Sequence, residues 1–213
     1  KYLKSAAGFL VEKEIRIMGK AMESPERPFV AILGGAKLGD EKFSDKINII
    51  ENFLSKVDKL LIGGAIIFTF FKAQGKNIGN SKVQEQFTDL AKKLLHNKKL
   101  VLPVDVVVAD KFDANANSKV VEVNNIPDNW MGLDIGPQTI KNYKEILKNA
   151  KTVVWSGPLG VFEFDKFANG TNEIARFLST LKAVIIVGGG DSAAAVEKFG
   201  YANKLTHVST GGG

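Results

Sequence analysis

Five times along this chain a short apolar run closes on glycine. Phe29–Leu33 runs into Gly34-Gly35, and Leu60-Leu61-Ile62 into Gly63-Gly64. Thr152–Trp155 runs into Ser156-Gly157-Pro158-Leu159-Gly160, Ala183–Val187 into Gly188-Gly189-Gly190, and Leu205–Val208 towards Gly211-Gly212-Gly213. Short, largely β-branched runs without polar alternation read as strands buried on both faces. Helix-periodic segments lie between them, so the pattern predicts an α/β fold: a Rossmann-like, mostly parallel sheet with helices on both faces. The strands of such a sheet end on one edge, and ligands bind outside that edge. The glycine loops would therefore gather where a ligand sits.

The fourth loop says most about the ligand. Strand Ala183–Val187, bare Gly188-Gly189-Gly190 and a helix opening with Asp191-Ser192 make a phosphate site. Glycine lets an anion approach the main chain, and the helix start offers unpaired N–H groups and partial positive charge. Asp191 would repel phosphate unless a divalent cation sits between them, as Mg²⁺ does in nucleotide sites. The alternative is a tight turn with Asp191-Ser192 as a plain cap, and the recurrence of the glycine loops argues against it. Lys37, directly after Gly34-Gly35, and Lys46, in the following helix, add cations suited to phosphoryl transfer.

The remaining elements are read from periodicity and breakers. A helix is expected over 1–22, broken by Glu23-Ser24-Pro25-Glu26-Arg27-Pro28. Further helices are expected over 44–56 with Ser44 as N-cap, 65–74, 82–96, from Pro137 to about Asn149, 166–181 and 192–199. Leu100–Asp110 reads as a strand carrying a buried Asp105, with Pro103 at a bulge or strand start. Residues 111–136 read as a small antiparallel flap. The expected organisation is one α/β domain over 23–213 behind a linking helix at 1–22.

Composition removes several classes. There is no cysteine, hence neither a disulfide framework nor a thiolate metal site, and His96 and His207 are too scattered for a histidine cluster. No run approaches the ~20 apolar residues of a bilayer span, and a cytoplasmic protein without membrane contact is the expectation. The net charge of +6 comes from dispersed lysines with only Arg16, Arg27 and Arg176 beside them. That distribution argues against a nucleic-acid surface but leaves a basic binding module as an alternative. A nicotinamide-linked Rossmann oxidoreductase is another; G-x-G-x-x-G after the first strand is missing, as are Walker A and G-x-S-x-G. Both ends look cut: the chain starts at Lys1 and stops in a glycine loop.

Taken together, several stretches resemble phosphoglycerate kinase. They are Gly34-Gly35-Ala36-Lys37, Ser44-Asp45-Lys46, Leu102-Pro103-Val104-Asp105, Trp130–Pro137, Gly157-Pro158-Leu159-Gly160-Val161-Phe162-Glu163, Gly188–Ser192 and Ser209–Gly213. They stand in that family's order and cover essentially the whole chain, as its C-terminal, nucleotide-binding lobe, with 1–22 similar to the helix linking the lobes. The resemblance implies reversible transfer of the acyl phosphate of 1,3-bisphosphoglycerate to Mg-ADP, giving 3-phosphoglycerate and ATP in glycolysis. It implies that Lys37 contacts the transferring phosphoryl group and Lys46 the nucleotide phosphates. Asp191 would hold Mg²⁺ directly or through water, with Gly188 and Gly189 leading to it and Gly190 and Ser192 capping the phosphates. Glu163 would bind the ribose hydroxyls, and Gly35, Ala36, Gly63, Gly64, Gly132, Pro158 and Val161 would line the adenosine slot. Gly211, Gly212 and Gly213 would begin a loop that donates N–H groups to the moving phosphoryl. The resemblance also implies a monomer.

The chain departs from the family pattern in three ways. The family usually has Gly-Gly-Ala-Lys-Val-Ser-Asp-Lys, its lysines four apart on one helix face. Here Leu38-Gly39-Asp40-Glu41-Lys42-Phe43 intervenes, and the turn-like Gly39-Asp40 favours an outward bulge that keeps both lysines in place. Ser156 stands where the family usually has Asn, a change expected to lose one nucleotide contact. The lobe that binds phosphoglycerate and the helix after Gly213 are missing from the sequence, so this chain alone is expected to bind nucleotide without turnover.

Overall fold

The computed structural model describes residues 24–35 and 43–209. The helix expected over 1–22 and the bulge at Gly39-Asp40 lie outside these residues. Six strands form a parallel sheet: β1 (Phe29–Leu33), β2 (Lys59–Ile62), β3 (Leu100–Val101), β7 (Thr152–Ser156), β8 (Val184–Gly188) and β9 (His207–Ser209). Their order is β3-β2-β1-β7-β8-β9. The chain winds outward from β1 in one direction, then returns past it and winds the other way. The reversal falls between β1 and β7, and a crevice opens at such a switch point. β4 (Asp105–Ala109), β5 (Ser118–Glu122) and β6 (Met131–Ile135) form a second, antiparallel sheet in the order β5-β4-β6. This is the expected flap, enlarged by a strand.

The helices are α1 (Phe43–Lys56), α2 (Ile66–Ala73), α3 (Thr88–Leu94), α4 (Pro137–Leu147), α5 (Asn169–Leu178) and α6 (Gly190–Lys198). β1 shows why its sequence lacks polar alternation. Phe29, Ala31 and Leu33 pack into one core with Ile50, Phe53 and Leu54 of α1 and Phe68 and Phe71 of α2. Val30 and Ile32 face the other core, with Tyr143 of α4, Trp155 of β7 and Ile174 of α5. A strand buried on both sides has no position for a polar side chain. The buried Tyr143 donates its hydroxyl proton to the carbonyl of Ile62 (2.6 Å), fixing α4 beneath the end of β2. Among the described residues no helix is long and apolar enough to cross a membrane.

Four expectations are corrected. The run Leu100–Asp110 is two strands in two different sheets, because Pro103 lacks the N–H a ladder needs and the chain turns there. The helices expected over 82–96 and 166–181 are shorter, each preceded by a 3₁₀ turn, Glu85–Phe87 and Asp165–Phe167. α1 begins at Phe43, so Ser44 lies in its first turn and is no N-cap. The final described strand is shifted to His207–Ser209, behind a 3₁₀ turn at Ala202–Lys204.

Two buried carboxylates tie the layers together. Asp105 of β4 receives the N–H groups of Gln138 (3.0 Å) and Thr139 (2.8 Å) and the Thr139 hydroxyl (2.6 Å). It thus caps α4 from another element, satisfying N–H groups that have no acceptor within the helix. Asp134 of β6 accepts the N–H of Gly170 in α5 (2.7 Å) and of Ile135 (2.9 Å). Complete burial nevertheless pushes its carboxyl up to about 8, against the opposing pull of these two donors. On the surface Glu173 of α5 is held down to about 2 by hydrogen bonds from Arg176 and Lys144.

Asp105→Ala is expected to cost about 3 kcal/mol in urea unfolding, since it strands buried N–H and O–H donors. Asp134 generates a pH prediction. Its folded pKa is raised, so the folded state holds a proton that the unfolded chain releases. Its contribution is full below the ordinary carboxylate value of 3.8 and falls as pH rises to about 8. The stability of the native chain relative to Asp134→Asn should decline across that window, measured by urea unfolding at each pH.

Candidate functional site

The loops after β1, β2 and β7 are laced by main-chain hydrogen bonds at the carboxyl edge. Gly34 N–H donates to Ser156 O (2.8 Å), Gly35 N–H to Pro158 O (2.7 Å) and Gly63 N–H to Leu33 O (2.8 Å). Gly64 N–H donates to Leu159 O (3.0 Å) and Ala65 N–H to Gly35 O (3.1 Å). Such contact needs backbone without side chains. A β-carbon on Gly34 would lie 2.2 Å from Pro158 O, and one on Gly157, at φ +87°, would lie 2.2 Å from Gly34 O. The doublets read from the sequence as ligand loops are therefore first of all loops that touch one another.

Beside this lacing a cleft of about 250 Å³ opens between the start of α2, the strand β6 and the β7 loop. Gly64, Gly132 and Val161, expected in an adenosine slot, line it. Gly35, Gly63 and Pro158 stand directly behind, supporting the wall through the bonds just described and through Gly63 packing on Leu159. Gly132 leaves room for Phe68, whose Cζ would come within 2.1 Å of an added β-carbon. Gly160 does the same for the Asp134 carboxylate at the cleft floor (2.2 Å). Much of the wall was not read from the sequence: Ala65, Ile67, Phe68, Asn80, Lys82, Phe112, Met131 and Leu133. These residues carry no glycine signal; only the exposure of an aromatic such as Phe112 in an Asn/Asp-rich loop could have marked one of them. Phe112 is 58% exposed at the rim and packs on Phe164, ring centres 5.2 Å apart. Lys166 reinforces this rim by donating to Ala116 O (2.8 Å). Glu163 is exposed on the same loop.

The start of α6 lies beside the laced loops, since Ser156 is paired with Gly188 across β7 and β8. The expected cap is corrected here. Gly189, at φ +95°, is the N-cap, and Gly190, Asp191 and Ser192 form the first turn. Glycine adopts that positive φ without strain. The first bond inside the helix runs from Ala193 N–H to Gly189 O (3.0 Å). Among the described residues nothing lies within 4 Å of an added β-carbon on Gly188. Gly190 is exposed and Asp191 half-buried. The Ser192 side chain is buried and its hydroxyl accepts the Gly157 N–H (2.6 Å). That bond uses the hydroxyl as acceptor and leaves its own proton to donate. Lys46 lies on α1; Ala36, Lys37, Gly211, Gly212 and Gly213 lie outside the described residues.

An apolar cleft and a glycine-opened helix N-terminus, held together by the loop after β7, suit a flat heterocycle carrying phosphates. Comparison with known proteins agrees. The family model described as phosphoglycerate kinase matches residues 1–213. A phosphoglycerate kinase of Clostridium botulinum (strain Langeland) is 56% identical over the whole chain, which spans 54% of that protein. One from Limosilactobacillus reuteri is 57% identical over 99% of the chain and 52% of the relative. The chain thus spans about half the length of the curated relatives it matches. The solved phosphoglycerate kinase of Coxiella burnetii superposes with a TM-score of 0.90 at 40% identity, over 97% of this chain and 53% of that one. By sequence and by fold, the chain belongs to the phosphoglycerate kinase family.

Proposed function

We propose that this chain is the nucleotide-binding part of a phosphoglycerate kinase that transfers the acyl phosphate of 1,3-bisphosphoglycerate to Mg-ADP. The observation that carries the reading is that one loop serves both places: Leu159, Gly160 and Val161 line the apolar cleft, and Gly157 of the same loop bonds Ser192 at the start of α6. The base lies between Gly64, Gly132 and Val161, and Glu163 at the rim takes the ribose hydroxyls. The polyphosphate runs towards Gly188, Gly189 and Gly190, whose exposed main chain and helix-start dipole suit an anion. Lys46 neutralises the nucleotide phosphates, and Lys37 the group in transfer. Gly211 and Gly212 open the loop that donates N–H groups to the same group.

The donor set fits Mg²⁺. Among the described residues no cluster of three or more His, Cys, Asp or Glu could hold a metal. Asp191, in the first turn of α6, is a single carboxylate beside an anion site. That suits an ion taking most of its ligands from phosphate oxygens and water. The bound ion would supply charge neutralisation at the phosphates. Water exclusion falls to the chain itself, through the Phe112–Phe164 rim. The second substrate, 3-phosphoglycerate or its bisphosphate, belongs to the half of the protein beyond this chain, so this half alone binds nucleotide without turnover. As a glycolytic enzyme the whole protein acts in the cytoplasm as a monomer, closing one lobe on the other.

Calorimetric titration of the chain with Mg-ADP tests the reading. One saturable site is expected, weakened about tenfold or more by Asp191→Ala, the scale of one charge-assisted contact. Chelating the metal should weaken the native chain and leave the variant nearly unchanged. No binding by folded native chain would overturn the reading. Gly132→Ala should weaken nucleotide binding more than it lowers stability, because the Phe68 ring must swing within the cleft to make room. Equal loss in both, measured by titration and by thermal melting, would make Gly132 a packing residue only.

A further inference from the structure

We propose that Lys198, in the last turn of α6, is a positioning residue for nucleotide binding: it holds the loop that presents Glu163 to the ribose. This rests on the nucleotide reading above, in which Glu163 takes the ribose hydroxyls. Before Glu163 the loop is tied to β6, since Val161 N–H donates to Leu133 O (2.9 Å). The bonds from Phe162 N–H to Gly160 O (3.0 Å) and from Phe164 N–H to Val161 O (3.1 Å) stay within the loop. They shape it without fixing it to the rest of the fold. Lys198 supplies a second tie. Its ammonium donates to Phe162 O (2.9 Å) and to a carboxylate oxygen of Asp165 (2.8 Å), so one bond falls on each side of Glu163.

The spacing along α6 places the lysine there. Ala195, Lys198 and Phe199 stand three and four residues apart and share one face of the helix. Phe162, Ala195 and Phe199 belong to one small core, so the loop meets the helix on apolar surface with the ammonium at its margin. The two lysine bonds are unequal. The Asp165 side chain is 92% exposed, where an ion pair is worth little. The bond to Phe162 O is partly buried and carries most of the tie. An ammonium can serve both acceptors at once, because it has three donors. Glu163 itself is exposed and, among the described residues, holds no ion pair. Its direction is therefore set by the main chain beneath it, which the Lys198 bonds bracket.

The test titrates Mg-ADP and its 2′,3′-dideoxy analogue, which lacks both ribose hydroxyls, into the full-length protein carrying this chain. The forms compared are native, Lys198→Met, Lys198→Arg, Glu163→Ala and the double variant Lys198→Met with Glu163→Ala. Met keeps the apolar stem of the lysine, and thermal melting checks that each form is folded. Lys198→Met is expected to weaken Mg-ADP about fivefold, the scale of one hydrogen bond, and to leave the dideoxy analogue nearly unchanged. Lys198→Arg, which restores a charged donor, should bind both as the native protein does. In the Glu163→Ala background Lys198→Met should cost nothing further, because the two residues act through one contact. Equal loss of both nucleotides, loss of neither, or additive losses in the double variant overturns the proposal and leaves the nucleotide site standing. Native protein that binds Mg-ADP no better than the analogue removes the Glu163 contact and the proposal with it. Folded native protein that binds neither overturns the nucleotide reading itself, before any substitution is made.

Discussion

The architecture depends on main chain touching main chain where β1, β2 and β7 end. Adjacent parallel strands must diverge into separate helices, and their loops would ordinarily spread apart. Here Gly34, Gly35, Gly63, Gly64 and Gly157 let the loops close on one another through hydrogen bonds of 2.7–3.0 Å. Buried peptide groups must be paired, and this lacing pairs them without side chains. It also fixes the level of the sheet edge, so the wall of the cleft and the start of α6 are held relative to each other before any ligand arrives. Binding sites gain affinity from such preorganisation, because less order has to be imposed on association.

Charge is arranged around that edge with some economy. The +6 net charge gives a soluble surface and attracts anions in general, yet the specific work falls to few groups. Backbone N–H groups and a helix dipole gather at the start of α6, with Asp191 in its first turn. The acidic groups inside have other tasks. Asp105 caps α4 and Asp134 joins β6 to α5. A buried carboxylate in this fold is therefore not by itself a sign of chemistry.

Much of this was legible in the residues. Strands such as Phe29–Leu33 could be read because burial on two faces permits only apolar positions. The glycine doublets could be read because no other residue allows such close approach. The strand at Leu100–Asp110 was misread, since whether a proline interrupts a strand or parts two sheets depends on where the following residues find partners. That the serine in the first turn of α6 is buried and accepts the Gly157 N–H, 35 residues away, could not be read from its neighbours. Asp134 could not be understood without Gly170, 36 residues on. Lys82 carries no local signature, and Phe112 only that of an aromatic in an Asn/Asp-rich loop; the fold brings them to one cleft.

The hydrogen bond from Gly157 N–H to the Ser192 hydroxyl spans the two halves of the proposed ligand site. Gly157 belongs to the loop that walls the base cleft, and Ser192 to the turn that would meet the phosphates. Anything that draws the start of α6 towards an anion also pulls on the turn beneath the base, and the reverse holds. Groups sharing a hydrogen-bonded network do not contribute independently. On the proposed nucleotide reading, nucleoside and polyphosphate would be coupled ligands of one mechanical part, and the free energy of binding the intact nucleotide would differ from the sum for its two fragments.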